Sequence, residues 1–291
     1  MNAYEKFLAK KIKNKNTYIL TAENLLAIRN IKKENINDVG ICEQNLIGVA
    51  AGIAKNNGHC YVHALSNFLI SRAYEFLKID LDYNNCNCVL VGSMGGIQST
   101  FNGPTHQSID EMSILENFTT FEIFFPISIE EMVKTLEKFK FRKTLYIRYN
   151  PKELINTFTN KNNITNSFLQ TYGDHLIVSN GILGNHILGL IQNNKNLIKK
   201  FSFFNFSYFK KSGFEVIAKK IFKFKKILVI EDHLENGSIF SRLNQLILKK
   251  KLKNKLKGIN LGKNYFHTDR DLDDIYKNLG ITPKKLMKIK L

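Results

Sequence analysis

Strand-like apolar runs alternate with helical patterns along the chain, and this alternation restricts the fold more than any other feature. In the first half, the runs that predict strands are 59–65, 88–93, 121–125 and 144–149. Patterns of helical period lie between and around them, at 68–80, 108–117 and 128–138. Such an order is typical of a mainly parallel sheet with helices on both faces. We therefore predict an α/β fold.

A polar stretch at 150–166, rich in Asn, Thr and Lys, interrupts the alternation. A second alternating series follows, in which the predicted strands are 175–179, 201–206, 227–231 and 258–261. A chain of 291 residues is long enough for two domains of ordinary size. We predict domains at 1–155 and 170–291 with a linker at 156–169, each domain being a mainly parallel sheet flanked by helices.

The formal net charge of +18 raises the question of nucleic-acid binding. The lysines are scattered along the chain, however, and no known nucleic-acid module is visible in the sequence. The densest basic run, 249–257, interleaves Leu with Lys and predicts a solvated helix end and loop. We therefore expect no nucleic-acid partner.

Other features of the composition are typical of a cytoplasmic protein. No apolar run approaches the ~18 to 20 residues that a membrane span needs, and the charged start, 1–15, does not contain the apolar block of a secretory signal. The cysteines show no spacing typical of disulfides or structural zinc: Cys42, Cys60, Cys86 and Cys88. We expect reduced thiols, a cytoplasmic location, no membrane contact and no metal ligands in this chain.

A lone carboxylate, Glu43, stands where an extended segment turns into a helix. The run Asp38-Val-Gly-Ile-Cys-Glu-Gln-Asn leads into Gly48-Val-Ala-Ala-Gly-Ile-Ala, which is small or apolar on nearly every side. A helix with no polar face is normally buried. An acidic residue in the first helical turn either complements the helix dipole or does chemistry, and the residues by themselves leave both possibilities open.

The run around Glu43 resembles the transketolase family of thiamine diphosphate enzymes. Three further segments resemble the family in its order and at its approximate spacing: Phe-Leu-Ile-Ser-Arg-Ala-Tyr-Glu at 68–75, Val-Gly-Ser at 91–93, and Asn-Gly-Pro-Thr-His-Gln at 102–107. The resemblance extends along the chain and is closest between 38 and 126. It covers the family's pyrimidine-binding and C-terminal domains only, and it implies their α/β folds.

The resemblance implies a cofactor site. Glu43 would contact the aminopyrimidine ring of thiamine diphosphate, where a buried carboxylate promotes the imino tautomer. Phe68 stands where the family stacks an aromatic ring on the pyrimidine, the alternative being a core residue at the start of a helix. Arg72, one turn on, lies near the cofactor or holds a neighbouring carboxylate.

The resemblance also implies residues near the substrate. His106 would face the sugar and move protons at its hydroxyls, a task suited to imidazole. Arg148, at the end of a predicted strand, would bind a substrate's phosphate end or form an ordinary ion pair at the sheet edge. Two positions depart from the family: Asn102 replaces an Asp that reads a substrate hydroxyl, and Met94 replaces a substrate-binding His. These departures indicate an unusual sugar.

Two other segments carry weaker signals. The glycine-rich run 92–96 matches no phosphate-binding loop and predicts a turn after a strand. The run Glu231-Asp232-His233 ends a predicted strand and resembles a recurrent family segment. Packing or an interface is a sufficient role for it.

The family's signature for Mg²⁺ and the diphosphate, Gly-Asp-Gly followed at a distance by Asn, does not occur in this sequence. The resemblance therefore implies the C-terminal subunit of a split transketolase, which transfers a two-carbon ketol unit from a ketose to an aldose. A separate N-terminal subunit would bind Mg²⁺ and the diphosphate. The resemblance further implies an α2β2 assembly and a sugar or sugar phosphate as substrate.

Three alternatives remain open at this point. The β subunit of a 2-oxoacid dehydrogenase E1 has the same two-domain arrangement, and a condensation like that of deoxyxylulose-phosphate synthase uses the same cofactor. A non-catalytic structural or regulatory paralogue is the third alternative. Asn102 and Met94 favour this last alternative, whereas Glu43, Phe68 and His106 argue against it.

Overall fold

The computed structural model describes residues 1–150, 167–170, 173–209, 213–266 and 271–291. Within these ranges the strands form two mainly parallel sheets, one of seven strands and one of five, with helices on their faces. The predicted α/β class is confirmed. Most of the predicted linker lies outside the described residues, whereas its last three positions, 167–169, belong to a strand.

The strands, in chain order, are β1 (Thr17–Thr21), β2 (Ile36–Asp38), β3 (His59–Leu65), β4 (Val89–Ser93), β5 (Phe121–Phe124), β6 (Thr144–Tyr149), β7 (Ser167–Gln170), β8 (His175–Ser179), β9 (Phe201–Asn205), β10 (Tyr208–Phe209), β11 (Lys226–Ile230) and β12 (Lys255–Ile259). In the described ranges, the larger sheet has the order β10-β5-β6-β4-β3-β1-β2 and the smaller one β12-β11-β8-β9-β7. β10 pairs antiparallel with β5, so a strand from the second half of the chain completes an edge of the first sheet.

The helices, in chain order, are α1 (Ala3–Lys11), α2 (Glu43–Lys55), α3 (Tyr74–Phe76), α4 (Glu111–Leu115), α5 (Ile129–Lys138), α6 (Gly181–Gln192), α7 (Lys195–Lys200), α8 (Phe214–Ile221), α9 (Ile239–Lys249), α10 (Leu272–Asn278) and α11 (Pro283–Lys288). Wider π-type turns, Phe68–Arg72 and Leu77–Tyr83, flank α3. Side-chain caps mark several helix starts, because they satisfy otherwise unpaired N–H groups: Asn2, Ser128, Asn194, Ser238, Asp271 and Thr282. In the part of the chain described here, no helix is both long and apolar enough to cross a membrane.

Successive residues of β4 point to opposite faces of the first sheet. Val89 and Val91 join an apolar cluster with residues of α1 and α5, while Leu90 joins a different cluster with residues of α2. All three valine and leucine side chains are fully buried. A run that is apolar at every position is therefore explained by a strand covered on both sides.

The second sheet has its own core. Ile177 of β8 and Leu228 of β11 pack there with side chains from α6 and from the C-terminal helices. Three isoleucines from the first half of the chain, Ile97, Ile109 and Ile127, belong to the same cluster and are fully buried. The two halves of the chain are therefore joined through a shared core.

The prediction for the lysine-rich run is wrong in part. α9 ends at Lys249 and a turn follows, but 255–257 form the first part of β12, at an edge of the second sheet. The sequence Lys255-Leu256-Lys257 repeats with the period of a strand, and its two lysines are exposed while Leu256 is half-buried. Lysines on an edge strand also discourage pairing with other chains.

The predicted site residues follow strands that end at one edge of the first sheet. The loops after β2, β3 and β4 carry Glu43, Phe68 and the segment from Met94 to His106, respectively. Because neighbouring parallel strands end at the same edge, these loops converge. The carboxyl edge of a parallel sheet is the usual place for a ligand in open α/β folds.

A buried histidine, His63, lies in the middle of β3 and makes two hydrogen bonds. Its Nδ1 lies 3.2 Å from the carbonyl oxygen of Leu20, which can only accept, so Nδ1 carries the proton. Its Nε2 then accepts from the hydroxyl of Tyr4 at 2.9 Å. Burial lowers the pKa of His63 to about 4.

His63 predicts a loss of stability in mild acid. Between its ordinary pKa of about 6.5 and its folded pKa, the unfolded chain takes up a proton that the folded chain does not bind. The free energy of unfolding should therefore fall by up to about 3 kcal/mol from this group as the pH is lowered through that window. Denaturant unfolding of the wild type and of His63→Gln measures it. The variant should be less stable at pH 7, and the difference should narrow towards pH 4; a constant difference would contradict the prediction.

Candidate active site

Glu43 is positioned by a tight turn between β2 and α2. Gly40 has φ of +76°, a conformation that favours glycine, and the amide of Cys42 donates to the Gly40 carbonyl at 2.7 Å. The side chain of Asp38 accepts the amide of Gly40 at 3.0 Å. This turn makes Glu43 the first residue of α2, and its side chain is 2 % exposed.

Arg72 contacts both Glu43 and Phe68. Its Nη1 donates to Glu43 Oε2 at 2.8 Å, and its guanidinium carbon lies 4.1 Å from the centre of the Phe68 ring. Phe68 and Arg72 begin and end a single π-type turn, in which the amide of Ala73 donates to the Phe68 carbonyl. Such wide turns often occur at functional sites. Of the two roles predicted for Arg72, the structure thus shows contact with a neighbouring carboxylate.

His106 lies against the other side of this group. Its ring centre is 4.9 Å from that of Phe68, in an edge-to-face arrangement. The hydroxyl of Thr105 lies 2.9 Å from its Nδ1, and the Asn67 side chain donates to the Thr105 carbonyl at 2.7 Å. These contacts fix the loop against the start of the π-type turn, and they leave the His106 side chain half-buried.

The structure therefore brings four of the seven predicted residues into one continuous group. Glu43, Arg72, Phe68 and His106 are joined by an ion pair, a cation–ring contact and a ring–ring contact. The two departures from the family lie elsewhere in the loop that carries His106. Asn102 is exposed, and Met94 directly follows β4, half-buried, with φ of +60°.

Arg148 occupies a different place from these residues. It is 5 % exposed, and its guanidinium binds Glu111 and Asp232, contacts His233 and lies 4.3 Å from the ring centre of Phe125. Burial by itself would lower the pKa of Arg148, but the charges of Asp232 and Glu111 raise it. The geometry corresponds to an ion pair, buried rather than at an edge, and not to the predicted contact with a substrate phosphate.

Glu111 is the centre of this buried group, and sequence reasoning missed it. The hydroxyls of Ser66, Ser108 and Tyr146 donate to its Oε2 at 2.7, 2.9 and 2.8 Å. Burial would raise the pKa of Glu111, yet the charge of Arg148, the contact with His233 and the hydrogen bond from Ser66 hold it at about 2. The spacing Ser108-x-x-Glu111 resembles a capping box, but α4 begins at Glu111 after Asp110, and nothing in the spacing reveals a buried carboxylate.

The glycine-rich run after β4 is explained by the same group. A Cβ atom built on any of three glycines would come closer than 3.0 Å to a side chain of the group. The side chains are Tyr146 at Gly92, Arg148 at Gly95, and Asp232 at Gly96. Gly96 in addition has φ of +66°, a conformation that favours glycine. The predicted turn is present, and its glycines let the backbone approach buried polar side chains.

Residues 8–155, just over half of the chain, match the family described as "Transketolase, pyrimidine binding domain". The chain belongs to the transketolase family. The predicted resemblance is confirmed.

Relatives in this family include subunits and longer enzymes. An apulose-4-phosphate transketolase subunit of Actinobacillus succinogenes is 36 % identical over 122 residues, which cover 42 % of this chain and 39 % of that protein. The 1-deoxy-D-xylulose-5-phosphate synthase of Clostridium tetani is 26 % identical over 265 residues, or 88 % of this chain and 42 % of the synthase. These matches span less than half the length of either relative.

A solved structure shares the fold over nearly the whole chain. It is described as "Split gene transketolase, inactive beta4 tetramer", with a TM-score of 0.76 and 18 % identity, and it covers 98 % of this chain and 94 % of that chain. At this identity the likeness concerns the fold alone. Both sheets of this transketolase-family chain are included in it.

The group around Glu43 fits the aminopyrimidine part of thiamine diphosphate. The Arg72 guanidinium, a planar N–H donor, lies over the Phe68 ring and donates to the buried Glu43 carboxylate. In this structure the flat, nitrogen-rich group that lies against both the aromatic face and the carboxylate is the Arg72 guanidinium. In the ranges that the structure describes, no group of three or more His, Cys, Asp or Glu side chains is arranged to hold a metal ion.

The close packing at Gly96 predicts a destabilising substitution. In Gly96→Ala, the added methyl group would overlap the Asp232 carboxylate, and φ of +66° is strained for alanine. We expect a loss of about 2 kcal/mol or more in stability, seen as a lower Tm. Gly189→Ala in α6 is the matched control, because a Cβ atom there meets no atom within 4 Å, and it should keep or raise the Tm. Equal effects of the two substitutions would show the packing argument to be wrong.

Proposed function

We propose that this chain is the C-terminal subunit of a split transketolase that depends on thiamine diphosphate. It would transfer a two-carbon ketol unit from a ketose to an aldose, together with a separate diphosphate-binding subunit. The observation that carries the proposal is the juxtaposition of the buried Glu43 carboxylate, the Phe68 ring and the His106 imidazole. A helix-dipole role alone would not require an aromatic face and an imidazole beside the carboxylate.

Each residue of the group has a chemical task in this proposal. When bound, thiamine diphosphate supplies a carbon nucleophile and an electron sink. Glu43 would hold a proton at the pyrimidine ring nitrogen, and its burial keeps this interaction unscreened by water. Phe68 would support the ring from one face. His106, oriented through Nδ1 by Thr105, would exchange a proton with a sugar hydroxyl through Nε2.

An exposed face of α2 supports the proposed partner subunit. The predicted apolar helix is buried only in part: Ile41, just before it, is 68 % exposed, Val49 is 36 % exposed, and Asn45 and Gly52 lie on the same side. This face lies on the side of α2 away from the buried Glu43 side chain, and exposed apolar side chains of this kind are typical of an interface with another chain. We propose that a separate, diphosphate-binding subunit covers this face and holds Mg²⁺, and that the assembly is α2β2 and cytoplasmic.

The substrate in this proposal is a sugar or sugar phosphate. Asn102 can both donate and accept hydrogen bonds and carries no charge, unlike the acidic residue of related enzymes. Met94 offers a thioether where related enzymes offer an imidazole. The proposed sugar therefore differs from the family's usual substrates at the hydroxyls that these two positions would meet.

A condensation of pyruvate with an aldose phosphate is the second candidate function. It is favoured by the similarity to the Clostridium tetani synthase, which extends over more of this chain than the similarity to the transketolase subunit. Assays of the assembled complex with a ketose and an aldose, and separately with pyruvate and an aldose phosphate, distinguish the two reactions. Release of CO₂ would accompany only the second.

Substitution of Glu43 tests the proposed chemistry. In the complex with the diphosphate-binding subunit, Glu43→Gln should lower kcat by about a hundredfold or more, because the amide cannot take the role of the carboxylate. The matched control is Glu215→Gln, which removes an exposed acid from the first turn of α8. The control should keep full activity. Near-normal turnover of Glu43→Gln would refute the catalytic role and leave Glu43 as a residue that only complements the helix dipole.

Substitution of Val49 tests the proposed interface. Val49→Arg should prevent copurification with a coexpressed diphosphate-binding subunit, because a charged side chain would be buried without a partner. Val216→Arg is the matched control: Val216 is 62 % exposed on α8, and its replacement should leave the complex intact. Size-exclusion chromatography with light scattering measures both. A stable Val49→Arg complex would show that this face is not the interface.

A further inference from the structure

The loop that carries His106 is anchored in the second domain. This segment, residues 94–110, is here termed the histidine loop. The amide and carbonyl of Gly96 pair with those of Ser108 at 2.9 and 3.2 Å and close the base of the histidine loop. Beside this base, Ile97 and Ile109 are fully buried in the core of the second sheet. The histidine loop thus leaves the first sheet, enters the core of the other domain and returns.

Gln107, directly after His106, makes a second connection to that domain. Its side-chain Nε2 donates to the Phe266 carbonyl, and its Oε1 accepts the Phe266 amide at 3.0 Å. The Gln107 side chain is 2 % exposed, so the pair is shielded from water. A primary amide that pairs with both groups of one peptide residue fixes position and direction together.

Two contacts extend the anchorage beyond Gln107. The amide of Leu234, just after β11, donates to the Ile109 carbonyl at 2.9 Å. At the other end of the histidine loop, Asp232 lies against Gly96 and binds Arg148. The ends of the histidine loop are therefore held by residues that directly follow a strand of the second sheet.

The histidine loop contacts the first domain through different residues. His106 meets Phe68 edge-to-face, and Thr105 accepts a hydrogen bond from Asn67. Within the three residues 105–107, the His106 side chain therefore contacts the first domain, while the buried Gln107 side chain is bound to the second.

We propose that the second domain acts as the support that positions His106, and that Gln107 is the positioning residue through which it does so. This inference rests on the proposed function, since it takes His106 as the group that meets the substrate. Gln107 acts through His106 and touches neither the cofactor group nor the sugar. The second domain thereby contributes to turnover although it supplies no residue to the Glu43 group.

Kinetics of the assembled complex test the proposal. Gln107→Ala should lower kcat by about tenfold to a hundredfold, because a small displacement of a catalytic group has an effect of this size, with little change in the cofactor Kd. Gln107→Glu keeps the acceptor but places a carboxylate oxygen against the Phe266 carbonyl, so it should lower kcat at least as much as Gln107→Ala. In a His106→Ala background, Gln107→Ala should cause no further loss. Multiplicative losses in the double variant would overturn the proposal.

A matched control separates positioning from general loosening of the domains. Arg242 of α9 and Glu116, directly after α4, form an ion pair at 2.7 Å across the two halves of the chain, away from the histidine loop. Glu116→Gln should leave kcat unchanged. If it lowered kcat as much as Gln107→Ala does, general loosening would explain both, and the positioning role would be refuted.

A readout without activity keeps this test independent of the proposed function. Hydrogen–deuterium exchange of the full chain should be faster across 97–108 in Gln107→Ala than in the wild type, and unchanged there in Glu116→Gln. Unchanged exchange in Gln107→Ala would overturn the anchorage. If the wild-type complex transfers no ketol unit while the exchange result is as expected, the proposed function fails and the anchorage stands.

Discussion

The buried ion pairs of Arg148 link the two halves of the chain through charges that could not be left unpaired without a large cost. One guanidinium joins Glu111, at the start of α4, to Asp232, two residues after β11 of the other sheet. Removing a single partner would leave a buried charge uncompensated, which is far more costly than the pair is favourable. Glycine in β4 at Gly92, and after it at Gly95 and Gly96, is a necessary consequence, since it gives these side chains the space that Cβ atoms would fill. The surrounding hydroxyls complete the arrangement by satisfying the remaining acceptor sites of Glu111.

The first sheet explains why the candidate site lies beside this ion-pair group. Parallel strands deliver their following loops to one edge, so segments distant in sequence meet there without any long-range motif. Glu43 and Phe68 arrive from two such loops, and His106 comes from a third. The ion-pair group under the third loop is polar and buried, whereas the Glu43 group has partners that reach the surface: Arg72 is exposed and His106 is half-buried. One edge of the sheet therefore carries a fully buried polar group and, beside it, the partly exposed Glu43 group.

Much of this architecture can be predicted from the sequence, and the failures have physical reasons. The runs at 59–65, 144–149 and 175–179 predict β3, β6 and β8 with their observed bounds, because nearly continuous burial leaves a mainly apolar pattern. The sequence does not predict β2 and β10, which have three and two residues, or β1, whose first two residues are half-buried. It predicts a helix end and loop in place of the first part of β12, because lysine-rich alternation on an edge strand resembles a solvated segment.

The residues of the site likewise divide into those that the sequence predicts and those that it does not. Glu43, Phe68, Arg72 and His106 belong to local motifs whose residue types carry the signal, and the structure brings them together. The role of Arg148 depends on Glu111 and Asp232, which are 37 and 84 residues away in the chain. No local pattern can report a partner at that separation. A surface arginine could bind an anion from solution. Because Arg148 is buried, it instead forms ion pairs inside the protein.

The contact of Arg72 with Phe68 and Glu43 has a consequence for how the site would be filled. The guanidinium occupies the aromatic face and the carboxylate oxygen at once, so a planar ring that stacks on Phe68 and bonds to Glu43 can enter only as Arg72 swings out. Binding of the ring would then replace the contacts of Arg72 with Phe68 and Glu43 by contacts of the ring with the same two residues. The number of hydrogen-bonded groups would change little. In the proposed complex the Glu43 carboxylate would exchange one donor for another, and Arg72, already exposed, would be released to solvent.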